Sequence, residues 1–488
     1  MAGVGVKLKR IYEKKSIAAN VFGVGYSILI TIAPLLFVAI CIWVMEYVLG
    51  FGDESYLSRE LFSSTILYIF IFSLLAVHLL FSPVLARYMQ DAIFEERYED
   101  VMPSYQIGLL LTLILGGVPG ALFSAWVHFV GEVSAVYVLL GYTGFVTMIF
   151  LLYSMAYLSV CKDFERMSVF CLAGMIVTFI LSLILRFWLH WTVSYSMLFS
   201  LVVGFLLIGA LEFMAFRRYF PENSGHYRLV FTYCRKWWKL MAANFFYMLG
   251  LYVHNFVFWT HETAEIVVKS FIWNQNYDMA STIAMFTNIS TMVIFVSNVE
   301  MNFNRKYKSY SEMVIGGKWG DINASSSRMF RQLSEELVNL VRLQFTITVV
   351  AYLFCIVILP QFGFAGSIMR IYPCLAAGFF MLFIMYATMH LLYYYNDFIG
   401  AVFTSGSFCI ITFLVSLIAL DLPEIWYGVG VVFGAFTGWT VGYFRLRWVE
   451  RHLNTNMFCT GTIVRREKAR MPDSKVYDKR DGTAAETE

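Results

Sequence analysis

Twelve transmembrane helices in two halves of six, an all-α polytopic membrane protein, is the fold class this sequence predicts. Three observations carry it. Hydrophobic residues make up 59% of the 488-residue chain and charged residues only 14%, against about 25% charged in a soluble domain. Apolar runs of about 20 residues, the length a bilayer core demands of a helix, recur from Phe22 to Trp448. The Lys and Arg residues between these runs fall almost wholly in every other gap, as the positive-inside rule requires.

Taken in order, the predicted spans are Phe22–Leu49, Leu61–Phe81, Ile107–Val127, Val136–Val160, Met167–Leu189, Val193–Phe216, Leu240–Thr260, Met279–Val299, Leu343–Leu359, Ile371–Tyr395, Ile399–Leu420 and Ile425–Trp448. The runs are continuously apolar rather than alternating, which excludes barrel strands. Helices satisfy their own backbone groups in lipid. With the N-terminus inside, the outer gaps hold only Arg59, Arg186, Lys269 and Arg370 of 36 basic residues. Both termini are therefore expected in the cytoplasm. The eight cysteines are scattered without a CxxC pair, so neither a zinc site nor a disulfide frame is expected, and no cofactor or metal is implied.

The longest inner gaps follow spans six and eight. The first, Arg217–Lys239, divides an N-terminal lobe (1–216) from a C-terminal lobe (240–448) and carries Arg235, Lys236, Trp237 and Trp238, residues suited to headgroup depth. The second is an insert over 300–342. Within it Phe330, Leu333, Leu337, Leu340 and Val341 recur at helical spacing opposite Arg331, Glu335 and Glu336. That pattern predicts an amphipathic helix, lying on the inner leaflet or extending span nine into the cytosol. Arg235, Lys236, Phe330, Leu333 and Leu337 are the candidates for docking a cytosolic partner. A charged tail, 449–488, follows the last span.

The two halves share a feature. Span two runs on into Arg87, Asp91, Glu95 and Tyr98, and span eight into Glu300, Phe303, Tyr307, Tyr310 and Glu312. Two parallel six-helix repeats would produce it.

Walker A, GxSxG and HExxH motifs are absent from the sequence, which argues against a motor or hydrolase. Asp53 and Glu54 in the first outer gap are the acidic pair a membrane glycosyltransferase would need. The outer gaps are short, so these two read better as solvated loop tips. Ionisable groups at membrane depth are more informative because each is costly in hydrocarbon. His78 lies in span two, His254 and Asn255 in span seven, and His390 in span ten, seven residues before Asp397. Each is either a packed, hydrogen-bonded group or part of a pathway. Arg87, Asp91 and Glu95 recur at i, i+4 and i+8, which makes either a surface ladder or an inner gate that pairs across to the other half. Aromatic residues, 18% of the chain, suit sugar C–H faces, although interfacial belts also use them.

Several segments together resemble the PelG family of exopolysaccharide transporters. They are the opening Met1-Ala2-Gly3-Val4-Gly5, Ala86-Arg87-Tyr88 with Asp91 and Tyr98, and Phe246-Tyr247-Met248-Leu249-Gly250-Leu251-Tyr252 with Phe258-Trp259. Tyr277-Asp278-Met279-Ala280 with Glu300, Phe303, Tyr307, Tyr310 and Gly316-Gly317 completes the set. The resemblance implies two six-helix lobes around a central cavity, in the superfamily of multidrug, oligosaccharidyl-lipid and polysaccharide flippases, with alternating access by rocking of one lobe against the other. It implies a Pel-type cargo rich in N-acetylgalactosamine and galactosamine, crossing the bacterial cytoplasmic membrane. Implied partners are a cytosolic glycosyltransferase (PelF-like) and membrane subunits (PelD-like, PelE-like). Nucleic acid is not an expected partner.

The combined expectation is a non-enzymatic polysaccharide transporter. Its inner gate comprises Arg87, Asp91, Glu95 and Glu300, and its pathway His254, Asn255, Asp278, His390 and Asp397. Two alternatives remain: a non-transporting scaffold of a synthase complex, or an ion-coupled drug exporter of the same superfamily. The latter would want a buried carboxylate in an early span, and span one holds only Glu46 near its outer end.

Overall fold

The computed structural model describes residues 33–34, 36–161, 163–294, 301–362 and 366–460. Glu300 and the tail beyond Thr460 lie outside the described residues. Fifteen helices and one hairpin account for most of the described chain: α1 (Leu36–Val48), then α2 (Tyr56–His78), α3 (Ser82–Phe94), α4 (Val101–Phe129), α5 (Ala135–Val160), α6 (Phe164–Phe187) and α7 (Val193–Tyr219). A short linker helix, α8 (Tyr227–Lys236), leads to α9 (Trp238–Phe258), strands β1 (Glu265–Val267) and β2 (Phe271–Trp273), and α10 (Gln275–Ile294). The chain ends with α11 (Met301–Gly316), α12 (Trp319–Ile358), α13 (Ser367–Tyr394), α14 (Phe398–Ala419) and α15 (Val429–Thr460). Ten of these helices are long and apolar enough to cross a membrane. With α1 and α10 they make the twelve spans of two six-helix lobes. The end holding the Lys/Arg-rich gaps is called here the basic face, and the opposite end the hairpin face.

Helix ends are set by local chemistry. Ser134 and Asp397 accept from the amides of Tyr137 and Gly400, at 3.3 and 3.2 Å, and so start α5 and α14, satisfying donors that the first helical turn leaves free. Gly50, at φ 74°, closes the turn after α1, a conformation glycine adopts without strain.

Span two is broken. Pro83 has no N–H to offer the Leu79 carbonyl, which ends α2 and starts α3. Asn244, from α9 of the other lobe, donates its amide to the carbonyls of both His78 and Leu79. The break is therefore capped across the lobe boundary. In span eight α10 is likewise followed by a second helix, α11, with 295–300 between them outside the described residues, and α11 packs on α12 as α3 packs on α4.

α14 and α15 approach closely along a row that recurs every four residues: Gly430, Gly434, Gly438 and Gly442. A Cβ at Gly434 would sit 2.9 Å from the Thr412 amide nitrogen and 3.0 Å from the Phe408 carbonyl. Small residues at this spacing let membrane helices touch backbone to backbone.

α12 is 40 residues long, about 60 Å at 1.5 Å per residue and twice a bilayer core. The amphipathic insert is thus the continuation of span nine. Its apolar stripe does not lie on a leaflet. Phe330 and Leu333 are buried against α11 and Tyr395, and Leu337 is half-buried on the same cluster.

The hairpin was not anticipated. Glu265 pairs with Trp273 and Val267 with Phe271 in antiparallel register, and the turn runs through Val268 and Lys269 at positive φ. The turn lacks the Asn-Gly or Asp-Gly pair that usually announces a two-residue hairpin.

Candidate functional site

The lobes meet at both ends of a cavity, in addition to the Asn244 bonds at the break in span two. At the basic face, Arg87 on α3 donates to the Asn396 side-chain oxygen at 3.1 Å. Asn396 sits in the turn between α13 and α14, held at φ 57°. The Arg87 guanidinium lies 3.9 Å from the centroid of the Trp237 ring and 5.3 Å from that of Phe398, a cation–π arrangement. Behind it stands Asp91, 4.0 Å from the Arg87 Nε and accepting from the Tyr233 hydroxyl. Burial and that carboxylate push the Tyr233 phenol well above its ordinary pKa, so it stays a donor. Arg87 thus contacts the other half through Asn396, an uncharged partner.

Glu95 does not join Arg87. It caps the end of α3 and pairs with Arg97 at 2.6 Å. Burial alone would lower the pKa of Arg97, but the neighbouring Glu95 and Asp100 carboxylates outweigh it and raise it. Asp100, fully buried, takes Arg97 at 2.8 Å, the Ser224 hydroxyl at 2.6 Å and His226 at 3.2 Å. Glu95 therefore belongs to a clamp that fastens the inter-lobe linker to the loop after α3.

At the hairpin face, the Tyr68 hydroxyl on α2 donates to the Ile272 carbonyl at 2.8 Å and accepts from the Ile272 amide at 3.1 Å. Its ring stacks on Trp259 with centroids 5.2 Å apart and planes 6° from parallel. Phe72 stacks on Phe256 one turn deeper. Exposed Lys269 reaches Glu132 across the same boundary at 3.3 Å.

Between these contacts lies a cavity of about 820 Å³. Its walls are α2, α4 and α5, with Phe245 of α9 and Ser270–Ile272 of the hairpin closing it from the C-terminal lobe. Leu79 and Leu80 mark its basic-face end, and Tyr68 and Phe271 its hairpin-face end. The lining is mostly apolar, and a third of it is aromatic: Tyr68, Phe72, Phe123, Tyr137, Tyr142, Phe145, Phe245 and Phe271. The volume is within the usual range for a small-molecule site.

None of the five residues expected in the pathway borders this cavity. His254, Asn255 and Asp278 do come together, but as a lock inside the C-terminal lobe. Asp278, 3% exposed, accepts from Asn255 at 2.7 Å, Trp259 at 2.9 Å and the Asn274 amide at 3.0 Å, and His254 meets the Tyr277 hydroxyl at 2.8 Å. The lock reaches the boundary indirectly, because Trp259 also carries the stack on Tyr68. His390 packs on Tyr386 and Tyr393. Asp397 takes a bidentate pair from Arg445 at 2.5 and 3.0 Å. Phe330 and Leu333 are buried, packed against α11 and Tyr395. Arg235 and Lys236 remain exposed on α8.

One ionisable residue escaped the sequence reading. Glu212 on α7 is 1% exposed, and its Oε2 has no hydrogen-bond partner among the described residues. It is the only Asp, Glu, Lys or Arg inside the run Val193–Phe216, a signal that was available.

Comparison with known proteins settles the family. The sequence profile described as "PelG: Putative exopolysaccharide Exporter (EPS-E)" matches residues 1–458. The chain belongs to the PelG family. Among solved structures, the fold of this PelG-family chain is similar to an outward-facing multidrug resistance MATE family transporter of the MOP superfamily (TM-score 0.56, 14% identity, 88% of this chain and 96% of that one). It is similar also to a mutant of the Vibrio cholerae MATE transporter VcmN (TM-score 0.56, 14% identity, 91% and 98%). A MOP superfamily transporter from Pyrococcus furiosus, whose title reports a binding pocket of reverse polarity, aligns at TM-score 0.52 and 15% identity over 88% and 96% of the two chains. No curated protein matches the chain significantly. The PelG-family chain is thus a multi-pass membrane transporter with the two-lobed MOP fold.

Proposed function

We propose that the chain exports a Pel-type exopolysaccharide, rich in N-acetylgalactosamine and galactosamine, across the bacterial cytoplasmic membrane by alternating access. The observation that carries this reading is the aromatic cavity held between two sets of inter-lobe contacts. Aromatic rings stack on the C–H faces of pyranose sugars, and the Tyr68, Tyr137 and Tyr142 hydroxyls at the wall can exchange their protein partners for sugar hydroxyls. The basic face lies in the cytoplasm with both termini. Opening there breaks Arg87–Asn396 and the Asn244 bonds to His78 and Leu79, and opening outward breaks Tyr68–Ile272. The chain itself carries no catalytic step. Polymer comes from a PelF-like cytosolic glycosyltransferase docking near Arg235 and Lys236, with PelD-like and PelE-like subunits alongside. The test is polymer appearance across proteoliposomes holding the purified chain, with and without the glycosyltransferase. Polymer crossing equally well without the chain would exclude transport and leave a scaffold.

Glu212 supports a second reading, an ion-coupled exporter, because a buried carboxylate oxygen at membrane depth with no hydrogen-bond partner among the described residues is a site for a proton or cation. Collapse of the proton gradient would then stop transport by the parent, and Glu212→Gln would transport slowly with or without a gradient.

A further inference from the structure

A second cavity, about 300 Å³, lies in the basic-face half of the C-terminal lobe between α12, α13 and α15. Its mouth and floor differ in chemistry. The mouth carries Arg342 and Arg447. Arg447 is held in place by the Tyr443 hydroxyl at 3.1 Å and Glu450 at 2.8 Å. Arg342 is exposed and makes no ion pair among the described residues. Two guanidiniums against one carboxylate leave the mouth net positive. Toward the bilayer centre the lining, with Ile384 and Trp439, is apolar, and Leu333 and Leu337 continue it on the cytosolic side of Arg342.

Depth matches this division. Arg342 stands where α12 passes from its polar half into the apolar run beginning at Leu343, and Arg447 stands near the end of the last apolar run. Both guanidiniums are therefore at headgroup level, while Ile384 and Trp439 lie deeper toward the bilayer centre. α12 also leans little on the rest of the protein: only 11% of its apolar window is buried. A basic mouth over an apolar floor, between a loosely held helix and the closely packed α13–α15 pair on the positive side, is the form of a lipid headgroup site.

We propose that this groove binds one anionic phospholipid of the leaflet at the basic face, its phosphate between Arg342 and Arg447 and one acyl chain along Ile384 and Trp439. The lipid fills the gap between α12 and the α13–α15 pair and holds the long helix against the lobe. A free anion would leave the apolar floor unused, and a neutral lipid would leave the net charge of the mouth unanswered.

The experiment is native mass spectrometry of the full chain in mild detergent, titrated with phosphatidylglycerol or with phosphatidylcholine of the same acyl chains. The expected result is one tightly held phosphatidylglycerol, preferred by about fivefold or more over phosphatidylcholine, the ratio that roughly 1 kcal/mol per basic contact provides. Arg342→Gln and Arg447→Gln each reduce that preference, while Arg328→Gln, exposed farther along α12 and outside the groove, does not. Inorganic phosphate at millimolar concentration leaves the lipid in place. Equal retention of the two lipids by the parent protein overturns the proposal without reliance on any variant. So does displacement by phosphate alone, or unchanged preference in both arginine variants when their Tm matches the parent.

Discussion

Arg87 donates a hydrogen bond to Asn396 at 3.1 Å, across 309 positions of sequence and across the boundary between the two lobes. With Trp237 and Phe398 against the same guanidinium, this is a closure that can break as a unit. Asn396→Gly keeps the left-handed backbone and removes the acceptor, so it is expected to loosen the basic face without strain. Arg87→Ala removes the acceptor's donor and the ring contacts together, and Arg87→Lys cannot replace the planar stack. In a Leu79→Cys background, labelling by an impermeant maleimide from the basic face should rise about fivefold with Arg87→Ala, the ratio that corresponds to losing about 1 kcal/mol, and less with Asn396→Gly. Unchanged labelling would remove the closure from the account.

Tyr68 holds the other end with one hydroxyl used twice. Tyr68→Phe keeps the stack on Trp259 and loses both bonds to Ile272, leaving a strand amide and a carbonyl to find other partners. The expected outcome is greater labelling of Ser124→Cys, on the cavity wall, from the hairpin face. Labelling from the basic face stays as it was. A rise on both faces would mean general loosening instead of an opened outer end.

Asp278 collects three donors in a buried place. Asp278→Ala strands all of them, a loss on the order of 3 kcal/mol if each costs about 1. Asn255→Ala strands only an acceptor position. Thermal unfolding in detergent should therefore show a much larger fall in Tm for Asp278→Ala than for Asn255→Ala. The Asp278 and Trp259 substitutions should also combine non-additively, because they share a bond.

A Cβ at Gly434 would meet the Thr412 hydroxyl and, behind it, backbone atoms of Thr412 and Phe408, which cannot rotate away as a side chain can. Gly434→Ala is expected to cost about 1–3 kcal/mol through overpacking, read as a lowered Tm. Gly316→Ala, with open space around its Cα, should leave Tm unchanged.

Long apolar runs and alternating basic gaps made the twelve spans legible, because lipid imposes length and charge rules that act on every residue of a run. The amphipathic stripe Phe330–Leu337 was legible as a helix but not in its use. Periodicity says that one face is apolar and does not say what covers it, and α11 with Tyr395 does. The partners of Arg87 were hidden because Asn396 is distant in sequence and uncharged, so no complementary charge pointed to it. His254, Asn255 and Asp278 were legible as a group that must be satisfied. That they satisfy one another inside a lobe, away from the cavity, depends on helix rotation, which sequence spacing does not specify. Glu212 and the Gly430–Gly442 row were in plain view, as a single charge in an apolar run and as a four-residue repeat.

The central claim is that cargo crosses by movement of the lobes about their two closures. Glu132→Cys with Lys269→Cys places a thiol pair across the hairpin face at an exposed ion pair of little energetic weight, and Arg87→Cys with Asn396→Cys does so at the basic face. Polymer flux through proteoliposomes, measured before a reducible dithiol cross-link, with it, and after its reduction, is the direct test. The account predicts that either cross-link stops flux and that reduction restores it. Undiminished flux with both faces cross-linked would contradict it.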